Sequence, residues 1–374
     1  MLTLRFDHAD PTETDGLVFD RPSEVIEAWE PAEVADALAR MDAVRAKGGW
    51  LAGYATYEMG HAFEPRLLAV LPQVRRGPLL RFGVFDAPNR DRLPLPEKAA
   101  VRNVAPQLGQ ADYDRAFAAI HAAIEAGDIY QANLTFPIIA GVEGAPVDLY
   151  AHLLRRQPVP HAALVEQGPD APAFVSCSPE LFFRTTPDGL IETRPMKGTV
   201  ARGETPDQDV ARRDWLRQDP KNLAENTMIV DLLRNDLSRV CRTGSVRVPR
   251  LFDIEPYASV FQMTSTVQGQ LMPDAALSDI LRALFPCGSI TGAPKIMAMQ
   301  ILAAQERAAR GIYCGTIGWA APDGTSCFNV AIRTLIVQDG MARLNVGGGV
   351  VWDSTAVEEY AEALLKSRFA QTTE

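Results

Sequence analysis

The sequence predicts an α+β fold on three observations. Strand-length runs meet in pairs across tight turns, 180–186 with 190–194 around Pro187-Asp188-Gly189 and 311–321 with 325–337 around Pro322-Asp323-Gly324, so neighbouring strands run antiparallel. Long helical patterns interleave at about 221–239, 294–309 and 355–369. No regular strand-helix alternation accompanies them, which disfavours a doubly wound parallel sheet.

In chain order, 31–47 reads as a helix, with Pro31 in its first turn and Gly48-Gly49 stopping it, and 50–54 as a strand. Between 87 and 107 the chain carries Pro88, Pro94, Pro96 and Pro106 among charges, the composition of an exposed connector. A soft boundary there divides an N-terminal subdomain over 1–100 from a larger domain over 101–374. Asp112 is the expected N-cap of a helix whose Tyr113, Phe117, Ile120 and Ile124 form an i, i+4, i+7, i+11 stripe ending at Gly127.

Lys and Arg total 37 against 47 Asp and Glu, a net charge of −10 that argues against a nucleic-acid partner. No apolar run approaches the ~20 residues of a membrane span, and the N-terminus lacks the pattern of a secretory signal, so a soluble, cytoplasmic protein is expected. The five cysteines, Cys177, Cys241, Cys287, Cys314 and Cys327, suggest neither a disulfide framework nor a zinc site. His8, His61, His121, His152 and His161 show no metal-ligand spacing. Any metal should be a hard ion held by carboxylates.

Several constellations could carry chemistry. Gly347, Gly348 and Gly349 are expected to end a strand, where backbone amides can approach an anion too closely for any side chain. Thr355 and Glu358 then have capping-box spacing, and Glu359, Glu362 and Lys366 share one helix face, which alone could be an ordinary solvated face. Glu225 opens a second helix beside Met228, Ile229 and Leu232, where a carboxylate is costly unless paired or metal-bound. Two helices each offering a Glu would suit Mg²⁺. The loop from Gly288 through Thr291 to Lys295 leads into a helix with Pro at its first turn, so free amides face whatever binds there. Arg333 lies in an apparently apolar strand and needs a carboxylate partner, from protein or substrate. Lys197, flanked by Met196 and Gly198 at a strand end, could equally be a surface turn residue on composition alone.

Taken together, these segments resemble the chorismate-utilising enzymes: the anthranilate synthase and aminodeoxychorismate synthase components I and the isochorismate and salicylate synthases. The matching stretches are Gly127-Asp128-Ile129-Tyr130-Gln131-Ala132-Asn133-Leu134, Ser178-Pro179-Glu180, the Lys197 turn, Ala224-Glu225-Asn226 through Asp236, Thr291 to Lys295, Gly311-Ile312-Tyr313-Cys314-Gly315, Arg333, the triple glycine and the last helix. The resemblance implies large antiparallel sheets packed together and flanked by helices, with 101–374 as the chorismate-binding catalytic domain. It also implies that Glu225 and Glu362, with Glu359 close by, hold Mg²⁺ and that Lys366 lies near the ring carboxylate of chorismate. Tyr313, Arg333 and the amides of Gly347 to Gly349 would hold the enolpyruvyl carboxylate, Gln131, Gly198, Thr199 and Thr291 would line the substrate, and Glu180 would protonate the departing hydroxyl.

Within that resemblance, relatives that add water place a basic lysine where this chain has Gln131, which disfavours isochorismate and salicylate synthesis. Lysine at 197 resembles the aminodeoxychorismate synthases, whereas anthranilate synthases typically have alanine there. The implied reaction is amination of chorismate to 4-amino-4-deoxychorismate for 4-aminobenzoate and folate synthesis, with Lys197 as a transient nucleophile. Anthranilate formation is the alternative, and a catalytically silent chorismate-binding regulatory subunit a third reading. Gln262 and Asn222 depart from the family pattern, standing where many relatives have a histidine and an acidic residue. None of the five cysteines sits in a Gly-x-Cys-x-Gly turn, so a separate glutamine amidotransferase subunit is expected to supply ammonia.

Overall fold

The computed structural model describes residues 1–7, 15–257 and 260–371; His8 falls outside them. Among the described residues, two antiparallel sheets of ten strands each form the body of the molecule. The first is built on a long ladder between Gln131–Glu143 and Met341–Val350, and continues through Thr334–Gln338, Ala173–Ser178, His161–Glu166 and Thr3–Asp7. The second runs from Met196–Ala201 through Val260–Gln270, Leu190–Arg194, Leu181–Thr185, Ser326–Asn329, Thr316–Ala320 and Trp50–Ala55 to Leu80–Phe85 and Glu24–Ala28.

Alternating side chains from the two sheets share one apolar layer. Leu4, Phe6 and Phe174 of the first meet Ala52, Tyr54 and Ile317 of the second, with Tyr54 edge-on to Phe174 at 4.9 Å. Helices cover the outer faces: Pro31–Ala46, Pro220–Ser238 and Leu277–Leu284 on the second sheet, and Gln110–Glu125, Pro146–Arg156, Lys295–Gln305 and Ala356–Lys366 on the first. Fully buried Phe183 and Phe328 stack at 4.8 Å under the first group, where truncation to alanine should cost about 3–5 kcal/mol. Strands from either side of residue 100 share both sheets, since Thr3–Asp7 pairs with His161–Glu166 and Trp50–Ala55 with Thr316–Ala320. No helix among the described residues is long and apolar enough to cross a membrane.

Both turn-linked pairs form, with Gly189 (φ +80°) and Gly324 (φ +99°) in the left-handed conformation that their turns require. Several boundaries differ from the sequence reading. The 87–107 connector contains two short strands, Asn89–Arg92 and Ala100–Pro106, which are edge strands and therefore tolerate charges and a terminal proline. Gly109, not Asp112, is the N-cap of the Gln110–Glu125 helix; Asp112 sits in the first turn and pairs with Arg115 and Arg307. The 325–337 run splits into Ser326–Asn329 and Thr334–Gln338, which lie in different sheets. Arg333 occupies the crossing between them at φ +49°, so it is not a strand residue. The 294–309 helix ends at Gln305, because Glu306 turns extended and spends its carboxylate on Arg310 and Thr135.

Candidate active site

The two sheets converge where Gly349 of the first meets Lys197 of the second. A Cβ placed on Gly349 would stand 2.8 Å from Lys197 Nζ and 2.6 Å from Gln131 Nε2, so the missing side chain is what admits both groups. The three glycines close the Met341–Val350 strand, as expected, opposite Thr135, Leu134 and Asn133. The Thr334–Gln338 strand pairs with Met341–Val350 only as far as Leu344, which leaves one edge of the glycine run without a strand neighbour. A Cβ on Gly348 would touch Glu359 Oε2 at 2.7 Å, and Gly347 O accepts from Lys366 Nζ at 3.0 Å.

Two side chains here keep buried polar atoms without protein partners. Neither amide atom of the fully buried Gln131 is hydrogen-bonded, and the Arg333 Nη1 is likewise buried and unpaired. A buried polar group left unsatisfied costs about 1–3 kcal/mol, so such groups point to a ligand that completes them. Burial pushes the Arg333 guanidinium down from its ordinary range, while the hydroxyl of Tyr257 and the carboxylate of Glu180 act to raise it.

Glu180 lies at the end of the strand pair, 3 % exposed, and burial pushes its carboxyl up to about 7. Ser289, which donates to Oε1 at 2.6 Å, the Lys197 ammonium, the Met196 amide and Arg333 all act in the opposite direction. The group is therefore a half-protonated acid near neutrality, the condition that suits proton donation.

On the last helix, Thr355 is the N-cap and accepts from the Glu358 amide at 3.4 Å. Glu359 is buried and accepts from Ser354 at 2.6 Å, and burial, with the adjacent Glu362 adding, holds it above the ordinary range. Glu362 is half exposed and is held low by Lys366 at 2.8 Å, with Lys197 and Lys221 further favouring its charge. Glu225 lies half-buried one turn beyond Lys221 on the Pro220–Ser238 helix. Among the described residues no three metal-donor side chains converge into a cage.

The remaining expected residues make the following contacts within the protein. Thr291 spends its hydroxyl on the carbonyls of Cys287 and Gly288, and its own carbonyl accepts from the Asn133 amide at 2.8 Å. Gly292–Ala293 pairs with Ala132 and Gln131, so part of the loop expected to offer free amides is already in a ladder, and Lys295 is committed to Asp236 at 2.9 Å. Thr199 donates to Gln262 Oε1 at 3.0 Å, and Gln262 returns a bond to Gly198 O at 3.1 Å. A Cβ on Gly198, at φ +94°, would meet Asn222, whose backbone and side-chain amides donate to Asp219, the N-cap of its helix. Tyr313 is buried in the apolar cluster beneath the site.

The sequence reading missed two residues that bear on this geometry. Ser289 lies inside the Gly288 to Lys295 loop, and nothing local marks a hydroxyl between Gly288 and Ile290. Arg310 is fully buried and binds Glu306 at 2.7 Å and the carbonyls of Asn133 and Ile290; an arginine before Gly311-Ile312-Tyr313 was the available signal.

The chain is similar to several known proteins. An aminodeoxychorismate synthase component 1 of Klebsiella aerogenes is 40% identical over 259 residues, 69% of this chain and 57% of that protein. An anthranilate synthase component 1 of Streptomyces coelicolor is 38% identical over 261 residues, 70% of this chain and 51% of that protein. The chain spans from about a quarter to just over half the length of the curated relatives it matches. The crystal structure of anthranilate synthase component I from Streptococcus pneumoniae shares the fold, with a TM-score of 0.83 at 24% identity over 98% of this chain and 92% of that one. The family described as chorismate binding enzyme matches residues 6–372, from the first strand through the helix that carries Glu359 and Glu362, and the chain belongs to that family.

Proposed function

We propose that this chain aminates chorismate to 4-amino-4-deoxychorismate, the step before 4-aminobenzoate in folate synthesis, acting in the cytoplasm with Mg²⁺ and with ammonia from a separate glutamine amidotransferase subunit. The observation that carries this reading is Lys197, whose amine stands against the Gly349 floor beside the unpaired Gln131 amide, with the buried acid Glu180 close enough to feel its charge. A binding protein would need the floor and the arginine but neither the nucleophile nor the acid.

The residues divide the work as follows. Arg333 Nη1 takes a substrate carboxylate, and the Gln131 amide supplies a donor and an acceptor to the ring substituents. The neutral Lys197 amine forms a bond to carbon 2 as both ring double bonds shift and the carbon 4–oxygen bond breaks. Glu180 gives its proton to that oxygen, which leaves as water. Ammonia then bonds to carbon 4, both double bonds shift back and the carbon 2–nitrogen bond breaks. The proton shed by the new ammonium restores Glu180, and Lys197 is free again.

Glu359 and Glu362 are a carboxylate pair under the glycine floor, and their chemistry suits a hard cation. Mg²⁺ commonly takes one or two carboxylates and completes its octahedron with water and substrate oxygens, so the lack of a three-donor cage among the described residues is compatible with it. Glu359 and Glu362, with Glu225 from the Pro220–Ser238 helix, would hold the ion, which when bound supplies positive charge for the ring carboxylate.

Anthranilate formation is the second reading, supported by the identity to an anthranilate synthase component, but a lysine amine at the reacting ring is not needed for it. The test is to incubate the purified chain with chorismate, Mg²⁺ and an ammonium salt and to identify the product by mass. Aminodeoxychorismate is expected, and anthranilate as sole product would overturn the proposal. Glutamine should replace ammonium only after an amidotransferase subunit is added.

A further inference from the structure

Glu180 is buried from solvent on every side, so its protein contacts decide which of its oxygens carries the proton. Ser289, 4 % exposed, donates to Oε1 at 2.6 Å, the length of a charge-assisted hydrogen bond. The serine oxygen is itself 3.3 Å from Cys287 Sγ, a buried free thiol, so the thiol can donate to the serine while the serine donates to the acid. Backbone bonds hold this short arm in place. Thr291 N and Ile290 N donate to Gly288 O and Cys287 O at 3.4 Å, and the Thr291 hydroxyl donates to the same two carbonyls. A Cβ on Gly288 would press on Leu232 at 2.1 Å, so the arm also packs closely on the Pro220–Ser238 helix.

We propose that Ser289 is the positioning residue for the Glu180 acid: its hydroxyl, steadied by Cys287, fixes Oε1 as an acceptor and leaves Oε2 to carry the proton toward the substrate. This inference rests on the reading of Glu180 as the acid that protonates the leaving hydroxyl. Ser289 touches no reacting atom in that scheme and acts only through Glu180.

Its signature is a displaced pH profile. The charged groups facing Glu180 are Lys197 and Arg333, the titratable neighbour beyond Ser289 is Cys287, and the Met196 amide also favours the carboxylate. A donor to a carboxylate favours the charged form, so its removal makes the group hold its proton to higher pH. A general acid works while protonated, so the alkaline limb of kcat should move upward.

The experiment compares kcat and KM for chorismate against pH, with Mg²⁺ and ammonium salt, in wild type, Ser289→Ala, Ser289→Thr, Ser289→Cys and Glu180→Gln. Ser289→Ala should lower kcat about tenfold with KM little changed and raise the alkaline limb by about one pH unit, the displacement that the loss of about 1.4 kcal/mol of differential hydrogen bonding produces. Ser289→Thr keeps the hydroxyl and should restore the limb. Ser289→Cys, near-isosteric with a weaker donor, should move the limb the same way as alanine and carries the test if the alanine variant does not fold. An inactive Glu180→Gln together with Ser289→Ala and Ser289→Cys profiles that superimpose on wild type would overturn the role of Ser289 alone. An active Glu180→Gln would instead overturn the acid assignment on which it rests.

Discussion

Gly349→Ala isolates the contribution of the glycine floor to catalysis from its contribution to folding. The added methyl would stand 2.6 Å from Gln131 Nε2 and 2.8 Å from Lys197 Nζ, against an ordinary contact of about 3.5–4.0 Å. Both atoms are the far ends of side chains, so they can withdraw by about 1 Å while the strand stays in register with Asn133. Misplacement of a reacting group by about 1 Å can cost about 100-fold, or ~2.7 kcal/mol of activation free energy. The expected result is a fall in kcat/KM of that order in the ammonium-dependent assay, with Tm within about 2 °C of wild type. Gly347→Ala is the contrasting control, because its methyl would meet the Leu134 carbonyl oxygen at 2.3 Å and must disturb the backbone ladder, lowering Tm. Wild-type kcat/KM in a folded Gly349→Ala enzyme would refute the placement of Lys197 and Gln131 at the reacting ring.

Four further outcomes are expected. The kcat of the wild type should decline as pH rises through about 7, because Glu180 must be protonated to act, and burial has pushed it up to that value. The same displacement means that the folded chain binds more protons than the unfolded chain between the ordinary carboxyl range and about 7, so Glu180 lowers stability as pH rises there; the Tm advantage of Glu180→Gln should grow from pH 5 to pH 8. Lys197→Ala should reduce turnover at least 100-fold while equilibrium dialysis still detects bound chorismate, and an undiminished rate of aminodeoxychorismate formation would remove the nucleophile. Glu225→Ala and Glu362→Ala should each abolish turnover with an unchanged circular dichroism spectrum, and a folded variant with wild-type Mg²⁺ dependence would end the metal assignment.

The antiparallel pairing and most of the helices were legible in the sequence because they rest on short-range chemistry. Turns at Pro187-Asp188-Gly189 and Pro322-Asp323-Gly324 fix hairpins locally, and the Tyr113, Phe117, Ile120 stripe fixes a helix face. The errors lie where tertiary partners decide. Nothing between 325 and 337 announces that the chain leaves one sheet at Asn329 and joins the other at Thr334, yet that crossing puts Arg333 at positive φ in the site. Edge strands such as Asn89–Arg92 read as loop because they have only one neighbour and stay exposed and charged. Among the site residues, Lys197, Gln131 and Gly349 are separated by long stretches of chain and meet only when the sheets pack, so resemblance rather than spacing brought them together. Ser289 needed the coordinates, since its meaning is a single hydrogen bond to a residue 109 positions away.

Arg310, fully buried, and Arg333, half-buried, show how frame and binding surface can be told apart. Arg310 is saturated: its guanidinium binds both carboxylate oxygens of Glu306 at 2.7 and 2.8 Å and the carbonyls of Ile290 and Asn133 at 3.0 and 2.7 Å, and lies 4.4 Å from the Tyr57 ring centroid. A buried charge so fully paired is costly to break, and here it ties the loop carrying Ser289 to the strand carrying Gln131. Glu306 extends the tie by accepting from the amide and hydroxyl of Thr135 at 3.0 and 2.9 Å. Arg333 and Gln131, by contrast, keep buried polar atoms without partners. Each such atom costs the protein about 1–3 kcal/mol while it lacks a partner, and a ligand carboxylate or hydroxyl bonded to it would remove that penalty. The penalty can be sustained only because the saturated network behind it prevents the strand and loop from collapsing inward to satisfy those atoms, so the rigidity around Arg310 is what keeps Arg333 and Gln131 available to a ligand.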